Sequence, residues 1–247
     1  MGATLLTWGF VKGDVGSKQC VICDGASPGE VNAIDDWFRT AFKRQDTTPP
    51  ATISHILSYG VAPLAGLGLT VVAATADERG DEAPLNALLV MQASVAAVLV
   101  KEAFSLAIRR ERPYVHALDG DAKQAELAKG DPLESFPSGH VASAMAIFSA
   151  AGTIASMRGY RLAPMIWITG AILGVTISYL RMAADQHYFT DNLAGAGIGL
   201  GVGAAVPLIF HRPLGKPRPA GLRWLDGAMV GSQNVPGGRV VSVGWAF

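Results

Sequence analysis

The chain has 247 residues, half of them hydrophobic and 16% charged, with zero formal net charge and a mean hydropathy of +0.30. Zero net charge gives no electrostatic footprint for nucleic acid, and so little charge among so much Ala, Gly, Val and Leu points to a membrane-embedded or very apolar helical protein. The only cysteines, Cys20 and Cys23, form one C-x-x-C, which excludes a tetrahedral zinc site built from cysteine alone and leaves a local disulfide or two thiols.

Residues 1–26 are Gly-rich and irregular, and their start lacks the basic residues and sustained apolar core of a secretory signal peptide. Ser27-Pro28-Gly29-Glu30 then reads as a helix start, with Ser27 as N-cap, Pro28 at the first helical position and Glu30 closing a capping box. The helix it predicts is amphipathic. Val31, Ile34, Trp37, Phe38 and Phe42 share one side, with Asp35, Asp36, Arg39, Lys43 and Arg44 mostly off it. Such a helix suits a membrane interface or an ordinary protein surface. Thr47-Thr48-Pro49-Pro50 ends it.

From there five uncharged runs dominate, at residues 53–76, 83–100 with a continuation through Lys101-Glu102 to 108, 141–157, 162–180 and 192–210. A helix rises about 1.5 Å per residue against a hydrocarbon core about 30 Å thick, so roughly 20 residues span it and every run is near that length. The predicted fold is all-α: a helical bundle of about five long apolar helices, membrane-embedded, with a soluble bundle of buried helices as the alternative. In the fifth run Gly195, Gly199 and Gly203 repeat every four residues, as do Gly197 and Gly201, a pattern that favours close helix packing. The loops at 77–82 and 158–161 are short, whereas 109–134 is long and polar, with a helix expected around 122–128. A basic, Pro-rich connector at 211–219 leads to a predicted β-hairpin with strands at 222–232 and 239–247 around a turn at 234–238. Val241, Val243, Trp245 and Phe247 alternate on the face expected to pack on the helices. The chain thus divides into an N-terminal segment with its amphipathic helix (1–50), a helical core (51–211) and a linker with hairpin (212–247).

Three polar clusters sit at the ends of the apolar runs: Lys101-Glu102…Arg109-Arg110-Glu111-Arg112-Pro113, then Pro137-Ser138-Gly139-His140, then Arg181…His187…Asp191. If the runs alternate up and down, counting places all three on one side, together with residues 1–50. A helix opening at Gly139 has unsatisfied N–H groups that attract anions, and Gly139 admits close approach of a bound group. Ser138 adds a hydroxyl and His140 a proton donor near neutral pH. Arginines converging with two histidines and an aspartate would make a phosphate-binding and phosphoryl-transfer site.

On these motifs the chain resembles the type 2 phosphatidic acid phosphatase superfamily, which includes acid phosphatases, lipid phosphatases and vanadium haloperoxidases. The family pattern is Lys, six residues and Arg-Pro; then Pro-Ser-Gly-His; then Ser-Arg, five residues, His, three residues and Asp. Arg112-Pro113, Pro137 to His140, and Arg181, His187 and Asp191 match it in order and spacing. Two positions depart: Ser105 stands where the family has Lys, and Leu180 precedes the third-motif Arg. Lys101, one helical turn before Ser105, and Arg109, four residues after it, are the candidates for the missing charge.

The resemblance implies a phosphatase with no cofactor and no metal. His187 is its nucleophile, Asp191 accepts from the other ring nitrogen of His187, and His140 protonates the leaving group. Arg112 and Arg181, with Ser138 and Gly139, hold the phosphate. It also implies a phosphorylated lipid as substrate and a bacterial-type inner membrane with the site facing the periplasm. Basic residues flank the runs on both sides, so the positive-inside rule gives no vote. The alternatives are a soluble periplasmic acid phosphatase for small esters, a vanadate-dependent haloperoxidase, for which the chain is short, and a non-catalytic member because of Ser105. Arg109 and Arg110 otherwise read as a solvated basic face, Asp185 as a local hydrogen-bonding residue, and His55, His116 and His211 as incidental.

Overall fold

Gly29 decides where the first helix begins. In the computed structural model, which describes residues 20–21, 23–25, 27–129, 131–210, 228–235 and 238–245, Gly29 has φ +77°, a left-handed conformation that no right-handed helix passes through. Residues 27–30 therefore form a turn, in which the Glu30 carboxylate still accepts from the Ser27 N–H at 3.3 Å. Asn32 replaces Ser27 as the N-cap: its Oδ1 accepts from the Asp35 N–H at 3.0 Å and opens α1, Ala33–Phe42. Phe38 stacks on Phe189 and Phe42 meets Tyr179 edge-on, so α1 lies across one end of the bundle.

The prolines expected to stop this helix instead start the next one. Pro49 and Pro50 fall in the first turn of α2, Thr48–Ala76, where an absent N–H leaves no bond unmade. This helix passes through a π-helical turn at Leu57–Val61. Helix α3, Ala83–Ile108, runs unbroken through Lys101-Glu102. Two short helices, α4 at Pro113–His116 and α5 at Gly120–Leu127, occupy the long loop. They are followed by α6 (Gly139–Arg158), α7 (Ala163–Ala183) and α8 (Phe189–Phe210).

Five helices, α2, α3, α6, α7 and α8, are long and apolar enough to cross a membrane. They stand four around one. In α6, 83% of the apolar window is buried, against 28–33% in the others, so α6 runs down the middle. Its Ala- and Ser-rich sequence permits approach from every side. Along α8, a Cβ added at Gly195, Gly199 or Gly203 would lie 2.5–2.6 Å from the carbonyl oxygen of Ser138, Ala142 or Ala146. Backbone therefore touches backbone at every fourth residue of both helices. Gly197 and Gly201 face nothing within 4 Å, so only one of the two glycine stripes packs. Where α6 carries bulk, its neighbours supply glycine: Gly66 for Ile147, Gly170 for Phe148 and Gly174 for Met145. The outward faces carry exposed Leu64, Ile168, Ile172, Val175 and Leu193, a shell suited to lipid rather than water.

At one end Glu82 ties the short loops together, accepting from Tyr160 and pairing with Arg79 and Arg158. At the other end lie the close of α3, the start of α6 and the α7–α8 connection, joined by α1 through the Arg44 N–H donating to the Ala183 carbonyl at 3.0 Å. This gathering on one side is the one that counting helices predicts. Beyond residue 210, the backbone of Ala228–Val235 pairs antiparallel with that of Gly238–Trp245. The expected packing of an apolar hairpin face on the helices, and His211, lie outside the described residues and side chains.

Candidate active site

The start of α6 forms the floor of the site. Ser138 is its N-cap with an extended backbone (ψ 112°) and no side-chain capping bond. Its buried Oγ has no hydrogen-bond partner among the described residues, and its N–H donates to the Asp191 carbonyl at 3.0 Å. Because residue 139 is glycine, another side chain can cross it: a Cβ there would lie 3.4 Å from Lys101 Cε and 3.8 Å from Nζ. The Lys101 ammonium therefore reaches the N-terminus of α6 from α3. It is buried, and Glu102 and Glu134 flank it at 3.2 and 3.5 Å. Arg109 serves a different end. It closes α3 in the left-handed region at φ +46°, its N–H donating to the Ser105 carbonyl at 3.0 Å.

The long loop is zipped at its base, with the Arg112 N–H donating to the Pro132 carbonyl and the Ser135 N–H to that of Arg110. This holds Arg112 beside the segment that leads into α6. Its Nε donates to the Asp131 carbonyl at 3.0 Å and Nη2 to the Asp131 carboxylate at 2.5 Å. Nη1 points to Gln186 O at 3.1 Å and His187 Nε2 at 3.2 Å. Arg181, at the end of α7, is 3% exposed. Among the described residues its guanidinium has only long bonds, to Ser54 Oγ at 3.3 Å and Gln186 Oε1 at 3.5 Å, and its Nε has no partner.

His140 and His187 face this cationic group with ring centroids 6.4 Å apart. His187 Nδ1 lies 2.7 Å from the Ser135 carbonyl, which only accepts, and Nε2 faces a guanidinium, which only donates. Both contacts select the Nδ1–H tautomer, leaving the Nε2 lone pair toward Arg112. Burial holds the His187 pKa well below the usual histidine value, reinforced by Arg112, Arg181 and His140 and opposed by the Ser135 carbonyl.

Asp191 differs from expectation. Helix α8 begins at Phe189, so His187 precedes it and the two residues are not one helical turn apart on a common face. The buried Asp191 carboxylate instead accepts from the Tyr188 N–H (2.8 Å), Ser135 Oγ (2.5 Å) and Arg110 Nη1 (2.7 Å). Ser135 thus stands between it and His187, offering its hydroxyl to one and its carbonyl to the other.

Arg110 is not a solvated basic residue. The left-handed turn at Arg109 sends it inward, where it pairs with Asp24, Asp35 and Asp191 at 2.7–2.9 Å and lies over the Tyr188 ring. Asp35 stays ionised because hydrogen bonds from Thr190, Arg110 and Asn32 outweigh the burial that would raise its pKa. Asp185 is more than a local residue: at φ +54° it anchors α1 through Arg39 and Lys43, both at 2.7 Å. Burial alone would raise the Asp185 pKa, and those two cations hold it below the usual value. His116 lies between Glu111 and the Glu30 carbonyl, each at 3.0 Å, and Cys20 is bonded to Cys23.

His55 is the residue that sequence reasoning missed at the centre. Its Nδ1 lies 2.5 Å from His140 Nε2, with the rings stacked at 4.6 Å, and Tyr59 one turn on sits 4.9 Å from the His140 ring. Counting could have found it, since the first turns of α2 lie at the same end as the three motifs.

Among the described residues no three His, Cys, Asp or Glu side chains converge as metal ligands. The groups that do converge are three buried cations, three imidazoles, a hydroxyl without a partner among the described residues and a helix N-terminus, a constellation suited to a phosphate ester. The model of the PAP2 superfamily matches residues 84–214, over half the chain and all three motifs. The protein belongs to the PAP2 superfamily, the type 2 phosphatidic acid phosphatases, whose members are generally phosphatases acting on phosphate esters. No curated protein and no solved structure matches the chain.

Proposed function

We propose that the protein is a membrane-embedded lipid phosphatase that hydrolyses a phosphomonoester or diphosphate through a phosphohistidine on His187. The observation that carries this reading is Arg181, buried with no carboxylate in salt-bridge range among the described residues. Desolvating a guanidinium without a counter-ion costs several kcal/mol, on the order of the penalty for one buried ion. An anion that binds and leaves would offset that penalty, and the neighbouring groups specify phosphate.

In this scheme the His187 Nε2 lone pair attacks phosphorus while Arg112, Arg181 and Lys101 hold the oxygens, with Ser138 Oγ and the Gly139 N–H completing the cradle. His140 delivers a proton to the departing alkoxide, then takes one from the water that cleaves the phosphorus–nitrogen bond. No metal is needed, because the cations stabilise the charge of the transition state. Lys101, rather than Arg109, takes the place of the family lysine, since its ammonium reaches Gly139 from one turn before Ser105. Asp191 orients His187 through Ser135. The apolar shell favours a substrate whose chain stays in lipid while its phosphate meets the arginines.

The Cys20–Cys23 disulfide precedes Asp24, which pairs with Arg110 at the site end. Disulfides persist in oxidising compartments, which supports a bacterial-type inner membrane with the site facing the periplasm. After reduction, a membrane-impermeant thiol reagent applied to intact spheroplasts should label both cysteines. Labelling only after lysis would reverse the orientation.

The activity itself is tested by phosphate release from phosphatidate, a prenyl diphosphate and a small phosphate ester in mixed micelles. His187→Ala should abolish release by at least about 1,000-fold. Undiminished release by that variant would overturn the reading.

A further inference from the structure

Residues 84–214 contain every motif of the family match, yet the shortest contact made by His140 is with a residue outside them. His55 Nδ1 and His140 Nε2 are 2.5 Å apart. Two ring nitrogens at that separation need one hydrogen between them: two lone pairs repel, and two hydrogens overlap. The pair therefore shares a proton, and its members differ in surroundings. His140 is buried at the start of α6, and His55 is exposed on α2.

We infer that His55 is a proton-relay residue for His140, carrying the positive charge that protonation of the leaving group requires. This rests on the reading of His140 as the proton donor and deepens it. The charges around the pair decide which ring is better placed to be cationic. Arg181 on α7, Arg112 in the long loop and Lys101 on α3 all act on His140, so an imidazolium there would be a fourth buried cation beside three others. His55 feels Arg181 and Arg112 too, but also the Asp131 carboxylate, and it is exposed where His140 is buried. Tyr59 borders both rings from α2, Glu102 lies beside Lys101 on α3 with Glu134 across from it, and His187 stands opposite on the α7–α8 connection. From α8, Asp191 is occupied by Ser135 and Arg110.

The relay balances. The resting pair is cationic His55, with hydrogens on both nitrogens, donating from Nδ1 to a neutral His140 that carries its hydrogen on Nδ1. As the phosphorus–oxygen bond breaks, His140 Nδ1–H goes to the alkoxide and His55 Nδ1–H passes to His140 Nε2. This leaves two neutral rings and a neutral alcohol. In the second half-reaction water attacks the phosphohistidine and gives its proton to His140 Nδ1, while the Nε2 hydrogen returns to His55. Throughout, His140 never has to be a cation. The backbone of α2 marks the same place independently: just after His55 the helix turns π-helical over Leu57–Val61, the turn that carries Tyr59, and single π turns within α-helices concentrate at functional sites.

The test is leaving-group dependence in His55→Gln and His55→Asn. Rates are compared on phosphatidate, whose alkoxide must be protonated, and on a nitrophenyl phosphate bearing an alkyl chain, whose phenolate leaves unaided. The ratio of the two rates is independent of the fraction of enzyme folded. It should fall by about 10-fold or more, since general acid catalysis supplies about 100- to 10,000-fold. The alkaline limb of the phosphatidate profile should also move to lower pH. His140→Ala should show the same selectivity, and adding His55→Gln to it should lower the ratio no further. An equal loss on both substrates, or a further loss in the double variant, would overturn the relay. Full activity of His187→Ala would instead overturn the phosphatase reading beneath it.

Discussion

Replacing Arg110 with Met keeps most of the buried stem and removes the charge that three carboxylates share. Asp35 and Asp191 have no exposed surface, and Arg110 bonds them at 2.9 and 2.7 Å. Removing one partner of a buried ion pair costs about 3–5 kcal/mol, because the other charge stays behind in a poor solvent. Here each carboxylate keeps other donors: Thr190 and Asn32 for Asp35, Ser135 and the Tyr188 N–H for Asp191. The loss should therefore fall at the low end, about 3 kcal/mol. At roughly 2–4 °C per kcal/mol for a chain of this size, the melting temperature drops by about 6–12 °C. Turnover should fall as well, by about 10-fold or about 1.4 kcal/mol in the barrier, because Asp191 steadies Ser135 and Ser135 holds the Nδ1–H of His187. Tryptophan fluorescence melts in detergent read the first effect, and phosphate release at 25 °C reads the second. Adding Asp35→Asn should restore part of the stability by removing one stranded charge. A melting temperature for Arg110→Met within about 2 °C of the parent would refute the account of Arg110 as the buried tie between the N-terminal segment and the site.

Three further outcomes are expected. Lys101→Met should lower kcat/KM by about 100-fold, some 2.7 kcal/mol, whereas Arg109→Met should change it by less than about 3-fold; the reverse order would return the missing charge to Arg109. Gly199→Ala places a Cβ 2.5 Å from the Ala142 carbonyl oxygen and should destabilise by about 1–3 kcal/mol. Gly201→Ala faces open space and should stay within about 0.5 kcal/mol of the parent, a contrast that paired thermal melts check. His187 gives a pH effect of definite sign. Its folded pKa lies below 6.5, so above that pH neither state is protonated and its contribution is fully present. As pH falls below 6.5 the unfolded chain takes up a proton that the folded chain refuses, and stability declines by up to about 1.4 kcal/mol per pH unit. The melting curve of His187→Gln should be flatter between pH 6.5 and 5; an identical slope would remove His187 as the cause. Asp35 and Asp185, held below 3.8, act only at lower pH.

The local motifs, the resemblance they carry and up-and-down counting together put Arg112, Ser138, Gly139, His140, Arg181 and His187 at one end of the bundle, where the structure also has them. What could not be read depended on single backbone conformations or on tertiary contact. Ser27 and Asn32 are both good caps, and the φ of Gly29 chooses between them. Arg109 and Arg110 are chemically alike, and a left-handed turn at the first sends the second inward. His187 and Asp191 have helical spacing, but the helix starts between them. The two glycine stripes of α8 are equivalent as letters, and only the position of α6 separates them. His55 is a lone histidine at the head of an apolar run, and its partner lies 85 residues away.

The backbone contact between α6 and α8 also limits how this protein can move. With Gly195, Gly199 and Gly203 seated on successive carbonyls, sliding or rolling one helix against the other would drive main chain into main chain. Ser138 and Asp191 are thus held together in one rigid half of the candidate site. On the proposed reading, a lipid substrate would then enter and leave by the opposite wall. There α2 carries His55 just before its π-helical turn, so an outward movement of that wall would both widen the site and part His55 from His140.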